Sequence, residues 1–230
     1  MDWALAIRRN RDQLRTIVLA LFALARMRVG GSLFILPRST FSMVMLVLRP
    51  AESAVRRLII IAAHNLAVKP CPPRDFVILG PRPEDPVSTM PDGGIPIRAF
   101  KLFDPLKSFD LESIWDNDHV TYESGYGLFA SPSMPLEVTL DHHPIDATQI
   151  GQRLNALIRA LDNLPAQARR LVRWQAKRDA ALKAHRPTRM GPMRPGLPPG
   201  WRERRTHEID NVLRECHGLA NDLLNAPDTG

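Results

Sequence analysis

The sequence of 230 residues lacks most of the patterns on which catalytic or metal-binding assignments are usually based. It contains two cysteines, too few for a disulfide framework or a four-thiolate zinc site. Only 6% of its residues are aromatic. It has no glycine-rich phosphate loop, serine nucleophile elbow, dinucleotide fingerprint or CxxC pair. These absences favour a protein that is not an enzyme and that needs no cofactor.

The sequence also lacks an uncharged apolar run of the ~20 residues that a membrane-spanning helix requires. The runs 16–25, 39–48 and 58–68 hold ten, ten and eleven residues, and arginine or lysine brackets each of them. An arginine-rich leader before Ala25 is compatible with a cleaved signal peptide, but the chain stays apolar and basic beyond that residue. We therefore expect a protein of the cytoplasm or of the cytoplasmic face of the inner membrane.

What the sequence does contain is charge, which is separated into three zones. The net charge is +8 over residues 1–70, −8 over 71–150 and +7 over 151–230. One explanation is an acidic middle that packs against two basic flanks. The other is that the basic flanks face an anionic partner, either phospholipid or nucleic acid.

Helical periodicity is present in both flanks and missing from the middle. The flanks predict helices on either side of Gly30 and Gly31, from Pro50 to about Val68, and over roughly 150–161, 165–185 and 206–224. Thr206 is the expected N-cap of the last helix. Nine prolines between residues 70 and 105 exclude a helix there. Short extended stretches at 76–79, 95–103, 120–122 and 136–140 predict a small antiparallel sheet. The fold class is thus mostly helical α+β, with N-terminal and C-terminal helices around a proline-rich sheet module. Its segments are an apolar, basic helical part (1–69), an acidic β and loop module (70–146) and a basic helical part (147–230) with a proline- and arginine-rich linker at 187–200.

Residues with metal-ligand chemistry cluster only in the middle segment. Adjacent histidines on a strand point to opposite faces, and the spacing matches no ligand pattern. We therefore expect turns that hold no metal, with Asp146 or Thr148 capping the helix that follows. The clustered residues are Asp116, Asp118, His119, Asp141, His142, His143 and Asp146.

Three blocks of the flanks carry a family resemblance. They are residues 48–60, residues 192–200, and Glu215 with Cys216 and His217. These blocks resemble a family of uncharacterised bacterial proteins. The resemblance implies a bacterial origin, and because the family has no assigned activity it implies no catalytic or ligand-binding residues. Cys216 also lies on the apolar face of the last predicted helix, so we expect it to be a buried hydrophobic residue.

Two functions fit the basic flanks. The first is an accessory or interaction protein whose N-terminal segment lies on an anionic membrane, with apolar side chains in the acyl region and arginines at the headgroups. The same apolar runs could instead form the core of a soluble fold. The alternative function is nucleic-acid binding by the same flanks. A metal-dependent hydrolase, which would use the Asp and His clusters of the middle segment, is a third hypothesis. The predicted membrane contacts are Arg15, Ile17, Leu21, Phe22 and Arg26, and the predicted anion contacts are Arg169, Arg170, Arg173 and Arg178.

Overall fold

The computed structural model describes residues 2–33, 35–64, 66, 99–105, 144–188 and 191–225. β1 and β2 form a two-stranded antiparallel sheet in which Leu36 lies opposite Ile145. Because most of the described residues lie in helices beside this small sheet, the prediction of a mostly helical α+β fold is confirmed. In chain order the elements are α1 (Trp3–Leu24), β1 (Ile35–Pro37), α2 (Arg38–Ala63), β2 (Pro144–Asp146), α3 (Thr148–Asp162), α4 (Leu164–Lys183) and α5 (Glu208–Asn225).

The centre of the fold is α2, which contacts the other four helices and both strands. Over residues 50–61 every side chain of α2 is buried except that of Glu52, which is partly buried. A helix buried on all sides is normally apolar throughout. Ser53, Arg56 and Arg57 depart from that rule, and buried polar groups of this kind need hydrogen-bond partners inside the protein.

Pro50 lies inside α2, although the sequence predicted that a new helix begins there. A proline inside a helix leaves the carbonyl four residues earlier without its N–H partner. That carbonyl belongs to Leu46, and the Arg202 guanidinium donates a hydrogen bond to it. The helix continues through Pro50 because a side chain from a distant part of the sequence replaces the missing donor. It ends at Ala63, before the predicted end near Val68.

The helices α3 and α4 begin where the sequence predicts. The Asp146 carboxylate accepts hydrogen bonds from the backbone N–H of Thr148 at 2.9 Å and from its hydroxyl at 2.6 Å. These bonds to the charged form lower the pKa of Asp146. Pro165 occupies the first turn of α4, where its missing N–H has no cost.

The start of α5 is capped one residue later than the sequence predicts. Thr206 was the expected cap, but the N–H of Ile209 is bonded to Nδ1 of His207 at 3.1 Å. Asp210 accepts the backbone N–H groups of Thr206 and His207, both at 3.0 Å. The His207 side chain therefore satisfies one of the free N–H groups of α5, and Asp210 binds two N–H groups of the residues just before the helix.

Part of the acidic middle lies against α4. Residues 99–105 contain no strand, so the strand predicted over 95–103 is wrong in its described part. The rings of Phe103 and Trp174 lie 4.8 Å apart and attach the segment to α4. The strands predicted at 76–79, 120–122 and 136–140, and every member of the Asp and His clusters except Asp146, lie outside the described residues.

The proline-rich segment 187–200, predicted as a linker, packs on α2 over its described part. The Ser53 hydroxyl donates a hydrogen bond to the Pro199 carbonyl at 2.7 Å. Gly200 has a φ of +80°, and a Cβ there would lie 2.6 Å from the backbone nitrogen of Pro50. Because proline has no N–H and glycine no side chain, the two backbones can approach this closely.

Candidate functional surfaces

A cluster of charged side chains lies in the interior where α2, residues 99–105 and α5 meet. The side chains of Arg57 and Asp104 are 0% exposed, and Arg57 Nη2 lies 2.9 Å from Asp104 Oδ2. Arg57 also donates to the Ser53 carbonyl at 2.9 Å and, through Nε, to Nδ1 of His217 at 3.2 Å. Every nitrogen of this guanidinium therefore has a partner, as a fully buried charge requires.

Arg56 extends the cluster to α3. Its guanidinium lies 3.4 Å from Asp104 and 3.3 Å from Glu52, and Glu52 pairs with Arg153 at 2.8 Å. Burial lowers the pKa of Arg56, and the two carboxylates partly oppose that effect. Among the described residues, three arginines thus share two carboxylates.

The titratable neighbours of the cluster are unsuited to nucleophilic catalysis. Cys216 is buried, as predicted, and burial raises the pKa of its thiol to about 12, so no thiolate forms at neutral pH. Burial and the Arg57 cation lower the pKa of His217, which favours the neutral imidazole that accepts the Arg57 hydrogen bond. Within the described ranges, no group of three or more His, Cys, Asp or Glu residues could hold a metal ion.

The three sequence blocks 48–60, 192–200 and 215–217 meet at this cluster. The first block contributes Arg57, the third contributes His217, and the second contributes the Pro192 carbonyl, which accepts the Asp104 N–H at 3.0 Å. The sequence interpretation did not single out Asp104, which joins them. Two adjacent arginines in the otherwise apolar stretch 54–63 are the signal that an interior carboxylate is required.

The residues predicted to contact a membrane fall into two sets. Ile17, Leu21 and Phe22 are at most 4% exposed and pack in the core, so in this fold they do not face a surface. Arg15 and Arg26 are exposed, and Arg15 pairs with Asp162 at 3.2 Å. None of the described helices is long and apolar enough to span a membrane. The buried residues of each apolar run pack in the core, which is the other interpretation that the sequence leaves open for them.

Exposed apolar side chains are nevertheless concentrated near the N-terminus. Of eleven large apolar side chains exposed among the described residues, seven lie between positions 5 and 46. The last two turns of α1 have an uncharged exposed face that continues into two exposed arginines and a valine. We call this surface the α1 corner; its residues are Leu19, Ala20, Ala23, Leu24, Arg26, Arg28 and Val29.

The backbone at the α1 corner has an unusual conformation. The N–H of Met27 bonds to the Phe22 carbonyl at 2.9 Å, and that of Arg26 to the Ala23 carbonyl at 3.0 Å. This is the Schellman pattern, in which the residue after the helix is left-handed and is usually glycine. Arg26 occupies that position with a φ of +52°. The chain therefore keeps an arginine at the corner despite the backbone strain.

A side chain of α3 fixes the turn that follows the corner. Asn155 accepts a hydrogen bond from the Gly30 N–H at 2.8 Å and donates one to the Gly31 carbonyl at 2.9 Å. Gly30 has a φ of +81°, which a glycine adopts without strain. These contacts hold Val29 at the outer end of the turn, where it is exposed.

The four arginines predicted to contact an anion differ in their surroundings. Arg170 donates to a backbone carbonyl of residues 99–105 at 2.8 Å, and Arg178 pairs with the neighbouring aspartate at 2.7 Å. Arg169 and Arg173 lie on the exposed face of α4. Arg169 and Arg173 are therefore better placed to bind an external anion than Arg170 and Arg178.

Comparisons with models of protein families, with curated proteins and with solved structures find no match for the chain.

Proposed function

We propose that this protein is an interaction protein that binds an anionic membrane surface through the α1 corner. The observation that supports this is the concentration of exposed leucine and valine side chains beside Arg26 and Arg28 at one end of α1. Apolar groups at the acyl boundary and arginines at the phosphates are the pattern of interfacial binding. The exposed corner makes this contact, while the buried Ile17, Leu21 and Phe22 of the same helix stay in the core.

We expect the binding of the α1 corner to a membrane to be weak and reversible. Leu19, Leu24 and Val29 are 42%, 39% and 55% exposed, so each gains about 1 kcal/mol when its exposed part leaves water. Arg26 and Arg28 each add about 1 kcal/mol near an anionic surface. The total of about 5 kcal/mol is close to that of a single acyl chain. Binding should therefore require anionic lipid and should weaken as salt is added.

Flotation with vesicles of equal parts phosphatidylcholine and phosphatidylglycerol tests the proposal. The full chain should float with these vesicles and not with phosphatidylcholine alone. The variant Leu24→Ser with Val29→Ser should lose most of the bound fraction. The control Leu182→Ser with Leu197→Ser changes two leucines of matching exposure, 42% and 55%, far from the corner in sequence, and should bind as the unchanged protein does. Equal binding of the two variants, or no flotation at all, would contradict the proposal.

A further inference from the structure

A second basic surface runs along α4. Arg169, Arg173 and Lys177 are exposed and occupy every fourth position, so they form one row with about 6 Å of helix rise between neighbours. Arg169 donates to the Pro165 carbonyl of its own helix at 3.3 Å. Arg173 and Lys177 have no hydrogen-bond or ion-pair partner in the described part of the chain. We call these three residues the α4 row.

No carboxylate among the described residues pairs with the α4 row. Some exposed or partly exposed arginines elsewhere do have acidic partners, such as Asp162 for Arg15 and Glu52 for Arg153. Residues 164–186 instead carry seven basic residues and one acidic residue, a net charge of +6. Like charges four residues apart destabilise a helix. An external polyanion would remove that repulsion.

We propose that the α4 row binds the phosphate backbone of duplex nucleic acid, independently of the α1 corner. The row contains no apolar side chain that could enter lipid, and Leu182, the exposed leucine of α4, lies on another face of the helix. It contains no aromatic side chain on which an unpaired base could stack, so it fits a duplex better than a single strand. Contacts to phosphates position a protein on nucleic acid without reading its sequence.

Fluorescence anisotropy of a short labelled DNA duplex, recorded with the full chain over a series of salt concentrations, tests this proposal. The logarithm of affinity falls against the logarithm of salt with a slope of about 0.9 per phosphate contact. The triple variant Arg169→Gln, Arg173→Gln, Lys177→Gln should reduce the slope by about 2.7, and Arg173→Gln alone by about 0.9. The control Arg178→Gln, on the same helix but paired with Asp179, should leave the slope nearly unchanged.

The stability of the same variants separates a loss of binding from a loss of folding. Because each substitution removes a like-charge repulsion, the unfolding temperature should stay the same or rise while binding weakens. No binding at the lowest salt, or a slope that the triple variant does not change, would overturn the proposal. It would also be overturned if Arg26→Gln with Arg28→Gln abolished duplex binding and the triple variant did not. Vesicle binding does not enter this measurement, so the two proposals can fail separately.

Discussion

At the scale of the residue, the stability of the fold depends on Asp104. This carboxylate is the partner of Arg57 and Arg56 in the interior. Asp104→Asn would leave the buried Arg57 guanidinium without a negative charge, and breaking such a pair costs about 3–5 kcal/mol. Urea unfolding should show that loss in the free energy of unfolding. Asp162→Asn, which removes the exposed partner of Arg15, should cost less than about 1 kcal/mol. Similar losses in the two variants would mean that Asp104 is not the buried partner.

His217 should make stability depend on pH. Burial and Arg57 lower its pKa below the ordinary value of 6.5, so the unfolded chain binds a proton more readily than the folded protein does. The contribution of the neutral imidazole is complete above pH 6.5 and is lost as pH falls from there through the lowered pKa. Urea unfolding at about pH 7.5 and about pH 5.5 should show a larger loss in the unchanged protein than in His217→Gln, whose amide oxygen can still accept from Arg57. Equal losses would count against this role for His217.

Local and distant pairings differ in how far the sequence predicts them. The burial of Cys216 is predictable because it follows from the helical period of its neighbours. The pairing of Arg57 with Asp104 is not, because 47 residues separate them and the middle zone offers thirteen acidic residues as candidates. In the same way Ile17 and Leu21 are recognisable as apolar, but their partners in the core are other helices that the local sequence does not identify.

At the scale of the element, the 187–200 segment depends on one close approach. Gly200→Ala would combine the strain of a left-handed residue, about 1–2 kcal/mol, with a clash against Pro50. Gly196 is the matched control, since it has a φ of +81° and a Cβ added there would have nothing within 4 Å. Thermal or urea unfolding should show Gly200→Ala to be about 1–3 kcal/mol more destabilising than Gly196→Ala. If the two variants are equally stable, the segment does not pack on α2 in the way described.

The elements show the same difference between local and distant causes. The period of apolar residues predicts α3, α4 and α5 because each buries one face. The rule that proline breaks a helix predicts two helices in place of α2, because that rule assumes that no other donor reaches the freed carbonyl. Arg202 supplies that donor from another part of the sequence. The segment predicted as a linker packs on α2, where Ser53 donates a hydrogen bond to it. Both errors concern contacts between residues more than 140 positions apart.

At the scale of the whole molecule, opposite charges from different zones meet in the fold. Asp104 of the acidic middle pairs with Arg57 of the first basic zone. Asp162 and Glu215 of the last zone pair with Arg15 and Arg9 of the first. These pairs join the two ends of the chain around α2. The α1 corner and the α4 row carry exposed basic side chains without an acidic partner among the described residues.

Hydrogen–deuterium exchange with and without vesicles of equal parts phosphatidylcholine and phosphatidylglycerol tests most directly whether the corner binds lipid while the core stays closed. Amides of residues 26–31 should exchange more slowly when vesicles are present, because the corner leaves water. Amides of residues 14–22, whose helix carries the buried Leu14, Ile17 and Phe22, should keep their slow exchange. Faster exchange over 14–22 on vesicle binding would mean that α1 leaves the core and inserts its apolar run, and it would contradict this description of how the protein binds a membrane.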